Sequence, residues 1–281
     1  MNFMSKVMSD EELKNLTNSA INEVKMLLVN WRESEDVGDR KRAKILSFWL
    51  KQYVKYLKEE KNFNPAGLKE YSRGDIIKVN LGYNVGSEEG GLHYAIVVSN
   101  CNTRQSPTIN VIPLTSKKEG KSIHPDDVFL GNEIYEKLSA KFKNISDDLS
   151  AQIEALQEKN NKAAFREAEL RRMIAEAENV DVLTDDFVRT LNEMVNEAQD
   201  MQREIQTKID EATKSLNEMK KINNEVSNMK MGSIALVSQI TTVSKMKIYD
   251  PKSDHDVLAG IKLSNTSLDL LNEKVKQIFV R

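Results

Sequence analysis

One interval constrains this chain more than any other. Residues 133–230 contain no glycine and no proline, although the whole chain has 11 Gly and 5 Pro. Those two residues punctuate turns and break helices, so their absence over such a span predicts long helix. The interval is also rich in Glu, Lys, Ala, Gln, Leu and Met, all good helix formers. Its first arm sets Ile134, Leu138, Phe142, Ile145, Leu149, Ile153 and Leu156 on one stripe. Its second sets Phe187, Leu191, Met194, Ala198, Met201 and Ile205 at steps of four and three. Ile209, Ala212, Leu216 and Met219 continue that stripe after a phase slip, a heptad-like pattern with a stutter.

A turn is expected at 179–184, with Thr184 or Asp185 capping the return helix. The arms, 133–178 and 185–230, are about equal, each roughly 70 Å long at 1.5 Å per residue. Equal antiparallel arms bring residues 133 and 230 back together. Such a hairpin can be inserted in another fold without displacing the segments on either side.

Those flanking segments have a different character. Residues 1–62 carry Leu13, Leu16, Ala20, Val24, Leu27 and Trp31, then Leu46, Trp49, Leu50, Tyr53 and Leu57, at helical spacing. They predict two amphipathic helices, capped at Ser9 or Asp10 and joined by a polar turn over 33–39 that contains Gly38. Between them and the insert lie three short β-branched runs, 76–79, 94–98 and 110–114. A fourth, 233–238, follows the insert, and each reads as a strand. Residues 268–280 read as a closing helix. The expected division is therefore 1–70 as an N-terminal helical hairpin, 71–132 plus 231–281 as a β-rich core, and 133–230 as an inserted coiled-coil hairpin.

Charge follows the same division. The insert has 15 Lys+Arg against 21 Asp+Glu, a net of −6, while the β-rich core has a net of +2. No apolar run approaches the ~20 residues of a membrane span. Residues 1–10 have no apolar stretch of the kind a secretory signal needs. Cys101 is the single cysteine, which excludes an intrachain disulfide and a cysteine-rich zinc site. His93, His124 and His255 stand in no ligand-like spacing. The expectation is a cytoplasmic protein with no metal or cofactor, no membrane partner and no DNA partner.

Four stretches carry a resemblance. Residues 73–81, RGDIIKVNL, are followed by 85–98, VGSEEGGLHYAIVV; residues 106–115 read SPTINVIPLT and residues 233–245 read SIALVSQITTVSK. In this order they resemble the MazF/PemK toxin family. The resemblance covers roughly 71–131 and 231–281, and neither the N-terminal hairpin nor the insert. It implies an α+β chain whose core is the small, bent, β-barrel-like MazF/PemK/CcdB fold. It also implies a homodimer, a metal-independent endoribonuclease acting on single-stranded RNA, and an antitoxin protein that blocks the RNA groove.

Cleavage of RNA without metal uses the ribose 2′-hydroxyl as nucleophile. It needs a proton acceptor, a proton donor and groups that stabilise charge on the phosphate. The resemblance implies Thr115 as a hydroxyl bonding a phosphate oxygen, Arg73 as a source of charge, and Glu88 as an acidic group in the glycine-rich loop. At His93 the family pattern usually has arginine. A histidine titrates near neutral pH, so the departure either turns this position into a general acid or base or abolishes the activity. Arg104, Lys117, Lys118 and Lys121 are expected as a basic cluster at the Thr115 end of its strand, suited to backbone phosphates. Ser233 and Gln239 are expected to be structural.

Two other functions fit. One is a catalytically inactive binding or scaffold protein working through its helical surfaces; the other is a gyrase-poisoning toxin, since CcdB shares the fold. The acidic insert, or the N-terminal hairpin, is a candidate to stand in for an antitoxin by shielding a basic groove; the insert's other reading is a spacer or oligomerisation arm.

Overall fold

The structure is a computed structural model describing residues 8–178 and 184–280. Among the described residues seven strands run β1 (Ile76–Asn80), β2 (Leu92–Val97), β3 (Thr108–Ser116), β4 (Val128–Gly131), β5 (Ser233–Ala235), β6 (Thr241–Ser244) and β7 (Ile248–Asp250). Five α-helices accompany them in the same residues: α1 (Asp10–Glu33), α2 (Val37–Glu59), α3 (Glu133–Ala177), α4 (Asp185–Asn228) and α5 (Asn265–Phe279). The chain is α+β, with flanking helices and a long helical insertion between β4 and β5.

All strand pairs are antiparallel, in the order β4-β5-β3-β2-β1-β7, with β6 also on β3. β3 organises the sheet. One edge pairs with β2, Ala95 opposite Pro113 and Val97 opposite Val111. The other edge is divided: residues 108–111 pair with β6, and residues 114–116 with β5. A 3-10 turn at Val237–Gln239 separates these partners. Pro113 stands opposite the division, and its carbonyl accepts from Leu236 N at 3.0 Å. A residue's N–H and C=O point to the same side of an antiparallel strand, so the N–H that proline lacks would have faced the gap, where no ladder bond is lost.

Alternation along the strands makes two cores. Ile76, Ile96, Ile112 and Leu114 face α5 and the roots of α3 and α4. Ile77, Val79, Ala95, Val97 and Val111 close around Tyr71, Val243 and Ile248. Burial, and then the charges of Asp256, Asp250 and Asp75, push the Tyr71 phenol well above its ordinary 10.0; its hydroxyl donates to Pro251 O at 2.6 Å.

The helical insert forms two antiparallel helices, as the ion pairs Lys141–Glu218, Lys159–Glu204 and Arg166–Glu197 require. Thr184 caps the return helix, its hydroxyl accepting from Phe187 N at 3.3 Å. The rest of the expected turn, 179–183, lies outside the described residues. The root is more deeply built in than a free-standing insert would be, since Ile134, Leu138 and Ile222 are fully buried members of the core. Lys141 also donates to three loop carbonyls, those of Asp256, Val257 and Ala259, at 3.0–3.2 Å.

Three short strands, β4, β6 and β7, escape the sequence reading because three or four residues are too few to show a period. The residues expected as a strand at 233–238 form β5 only to Ala235, where β3 turns to its other partner. In the N-terminal hairpin Ser9 forms a capping box with Glu12. The turn there is shorter than expected, because Asp36 accepts from Gly38 N at 2.7 Å and starts α2 at Val37.

Glu133 ties the insert to α5. Its carboxylate accepts from Ser264 N and Ser267 Oγ at the N-terminus of α5 and pairs with Lys137 at 2.9 Å. Burial alone would raise its pKa. The bonds from Ser267, Lys137 and Ser264, with the Lys137 charge, outweigh burial and hold it below the ordinary 4.5. A depressed carboxylate contributes stability above its unfolded pKa and loses it as pH falls through the folded one. Glu133→Ala should cost about 1–3 kcal/mol in denaturant melts. Glu133→Gln should flatten the loss of stability that the wild type shows below about pH 4.5.

Candidate active site

The divided edge of β3 opens the ladder at one place. In register, His93 on β2 would face Thr115, two residues beyond the Ala95–Pro113 pair. There β3 has left β2 for β5, and Thr115 pairs instead with Ile234. His93 fills the opening, its Nδ1 3.2 Å from Leu114 O. His93 and Thr115 line one pocket of about 240 Å³, together with Lys78, Tyr94, Ser116 and Lys230.

His93 is held from both sides. A carbonyl can only accept, so Nδ1 is the donor in the contact with Leu114, and Nε2 is the ring atom left to face a second group. Glu89 Oε2 stands 3.4 Å from Nε2. Both side chains are about one quarter exposed, so the pair is sheltered yet open to a ligand.

The glycine-rich loop positions Glu89. It is pinned by Leu81 N on Gly91 O at 2.8 Å and Gly91 N on Gly82 O at 2.6 Å. A Cβ at Gly90 would stand 2.9 Å from Gly82 O, so close packing of backbone on backbone needs glycine there. Gln239, in the turn between β5 and β6, accepts from Glu89 N at 2.7 Å. The residue expected to be structural thus supports an acidic group beside His93.

Lys78 and Tyr94 are cross-strand partners in the β1–β2 hairpin. The Lys78 ammonium lies 5.2 Å from the centre of the Tyr94 ring. Both reach Glu225 of α4: Lys78 Nζ at 2.6 Å, and the Tyr94 hydroxyl by a direct hydrogen bond. Burial, then the hydrogen bond to Glu225 and its charge, push the Tyr94 phenol well above its ordinary 10.0, so it remains a donor. A carboxylate of the insert therefore sits on a cation and a donor that line the His93 pocket.

The structure does not gather every residue expected at the site. Arg73 lies at the opposite end of β1, where it donates to Val98 O and Asn272 and joins β2 to α5. Glu88 is exposed and lines a different groove of about 640 Å³, with Glu89, Gln239 and Thr242; Glu89, but not Glu88, also stands against His93. Arg104 is in the loop before β3, at the other end of that strand from Thr115, and donates to Leu68 O at 3.1 Å. Lys117, Lys118 and Lys121 follow β3 and are exposed, and none of them lines the His93 pocket. Lys117 lies over the Phe129 ring at 5.0 Å.

Lys78, Tyr94, Glu89 and Lys230 were not anticipated. Lys78 had one sequence signal, a lone cation within an otherwise apolar strand, and pairing 76–80 with 92–96 would have placed it opposite Tyr94. Among the described residues no group of three or more His, Cys, Asp or Glu is arranged to hold a metal ion. No described helix is long and apolar enough to cross a membrane.

Residues 72–180 match the family model described as PemK-like, MazF-like toxin of type II toxin-antitoxin systems. Over this region, less than half of its length, the chain is similar to the MazF/PemK toxin family. The match takes in β1 to β4 and continues along α3. No curated protein matches the chain.

The histidine geometry has a direct check. In 15N-edited NMR of the protein with a neutral His93, the imidazole proton should be on Nδ1. A ring carrying it on Nε2 would contradict the Leu114 contact.

Proposed function

We propose that the protein is an endoribonuclease that cuts single-stranded RNA by attack of a ribose 2′-hydroxyl on the adjacent phosphodiester, with His93 and Thr115 at the centre of the site. The observation that carries this reading is the shared pocket. It holds a tautomer-fixed histidine backed by a carboxylate, beside a threonine hydroxyl and two lysines. In the reaction the bond from O2′ to phosphorus forms and the bond from phosphorus to O5′ breaks. The 2′-hydroxyl gives up a proton and the departing 5′-oxygen gains one.

His93 Nε2 performs one of these transfers, and Glu89 orients the ring and accepts from Nε2–H while the imidazole is charged. Thr115 Oγ1 donates to a non-bridging phosphate oxygen. Lys78 and Lys230 balance the charge that builds on the phosphate. The substitution of histidine for the family's usual arginine is thus read as a change of role, from fixed charge to proton exchange.

The insert regulates this site. Glu225 neutralises Lys78 and engages the Tyr94 hydroxyl, two groups that a phosphate would otherwise meet. This gives the shielding role of the acidic insert a specific contact. The N-terminal hairpin makes no such contact in the His93 pocket. Removing all of 133–230 would test shielding poorly, because Ile134, Leu138 and Ile222 would leave the core with it. A separate antitoxin and a homodimer remain part of the proposal.

The decisive assay is cleavage of a long mixed-sequence RNA in EDTA. The wild type should cut, and His93→Ala should lower kcat by about 10²–10⁴-fold. Thr115→Ala should lower kcat/KM without loss of fold. A folded wild type that cuts no RNA, even with Glu225 replaced, would leave the scaffold reading. Glu225→Gln should raise cleavage several-fold over wild type, whereas unchanged or lower activity would remove the insert from regulation of the site.

A further inference from the structure

A second groove opens where α2 lies against the β1 and β7 side of the sheet. Its volume is about 570 Å³, and its walls combine aromatic rings with lysines. Phe48 and Tyr249 stand on it at 64% and 65% exposure. Both are large rings left to solvent, one on a helix and one on a strand. Trp49 lies deeper, stacked on Tyr53 with ring centres 4.9 Å apart and planes 9° from parallel. A Cβ at Gly82, whose φ is +103°, would stand 3.2 Å from Trp49 Nε1. The glycine-rich loop thus packs directly on the indole and fixes the groove floor.

The cations are equally placed. Lys247 and Lys252 line the groove, and neither has a carboxylate within 4.0 Å among the described residues. Glu59, on the same wall, is already paired with Lys55 at 3.9 Å. Leu92 lines both this groove and the His93 pocket, so the two lie on either side of one residue at the start of β2.

We infer that this groove is a single-stranded RNA subsite in which bases flanking the cleaved phosphate stack on Phe48 and Tyr249 while Lys247 and Lys252 meet the backbone. The inference rests on the ribonuclease reading for its substrate class. Aromatic faces alternating with unpaired cations are what an unstructured strand requires: every base has a π-face, and every linkage carries one negative charge. A strand crossing the His93 pocket passes onto this groove at Leu92. Stacking there would hold the strand in register for the attack without touching the reacting atoms. It also assigns the N-terminal hairpin a role in substrate binding, since α2 supplies one wall.

The test uses a short 2′-O-methyl RNA, which lacks the nucleophile and cannot be cut, and follows binding by anisotropy of an end label. Phe48→Ala with Tyr249→Ala should weaken binding about tenfold or more. Because both rings are exposed, the melting temperature should stay unchanged. In a Trp31→Phe background the RNA should quench Trp49 fluorescence. Lys247→Gln with Lys252→Gln should reduce the slope of log Kd against log salt by about 1.4.

In the cleavage assay the aromatic double variant should raise KM and leave kcat intact. Unchanged affinity and unchanged KM in that variant would overturn the subsite, as would a folded wild type that fails to bind the probe. A groove built for protein contact would give that first result. Binding that depends on Phe48 and Tyr249 in a protein that cuts nothing would sustain the groove and remove the ribonuclease reading. Cleavage with an unmoved KM would do the reverse.

Discussion

The structure depends on how β3 divides its hydrogen bonds. One edge serves β2, while the other serves β6 first and β5 afterwards. The ladder with β2 ends at the Ala95–Pro113 pair, at the place where the other edge changes from β6 to β5. Pro113 fits at that place because the donor it lacks would have no partner. The opened ladder is the space that His93 enters and Thr115 borders, so the candidate site is a direct product of strand pairing.

The same division seats the insert. β4 pairs with β5, and α3 begins two residues after β4, while α4 ends just before β5. The two arms therefore leave and return at adjacent strands. Their first and last turns bury Ile134, Leu138 and Ile222 against the sheet, and Glu133 and Lys141 tie α3 to the segments around α5. An insert rooted so firmly holds Glu225 at the edge of the His93 pocket, in contact with Lys78 and Tyr94. The Glu225 contacts and the buried root lie on the same insert but use different residues, which is why a point substitution separates them and an excision cannot.

The helices were legible in the sequence because helical order is local. The absence of glycine and proline over 133–230, the stripes at three and four, and the caps at Ser9 and Thr184 all act within a few residues. The strands were legible where they were long enough to alternate. β4, β6 and β7 were not, since three or four residues have no measurable period and are strands only because a neighbour supplies the partner. At the site, His93 and Thr115 stood out by their place in a recognisable pattern. Arg73 was grouped with them by the resemblance and Arg104 by its charge, although each lies at the other end of a strand from the pocket. Glu88 and Glu89 are adjacent and alike, and only the Gln239 contact decides which one meets the histidine.

The sequence by itself determined the α+β class of the chain, the helical hairpin within 133–230, and the place of His93 in a motif that resembles the MazF/PemK family. These follow from local propensity and from the order of short motifs. Tertiary structure decided the composition of the site. Lys78, Tyr94, Glu89 and Glu225 come from two strands, a loop and a distant helix, and their meeting depends on register, on the divided edge of β3 and on the packing of the insert's root. Such contacts join residues up to 147 positions apart, as Lys78 and Glu225 do. No local pattern encodes them, because the free energy that holds them comes from the folded core as a whole.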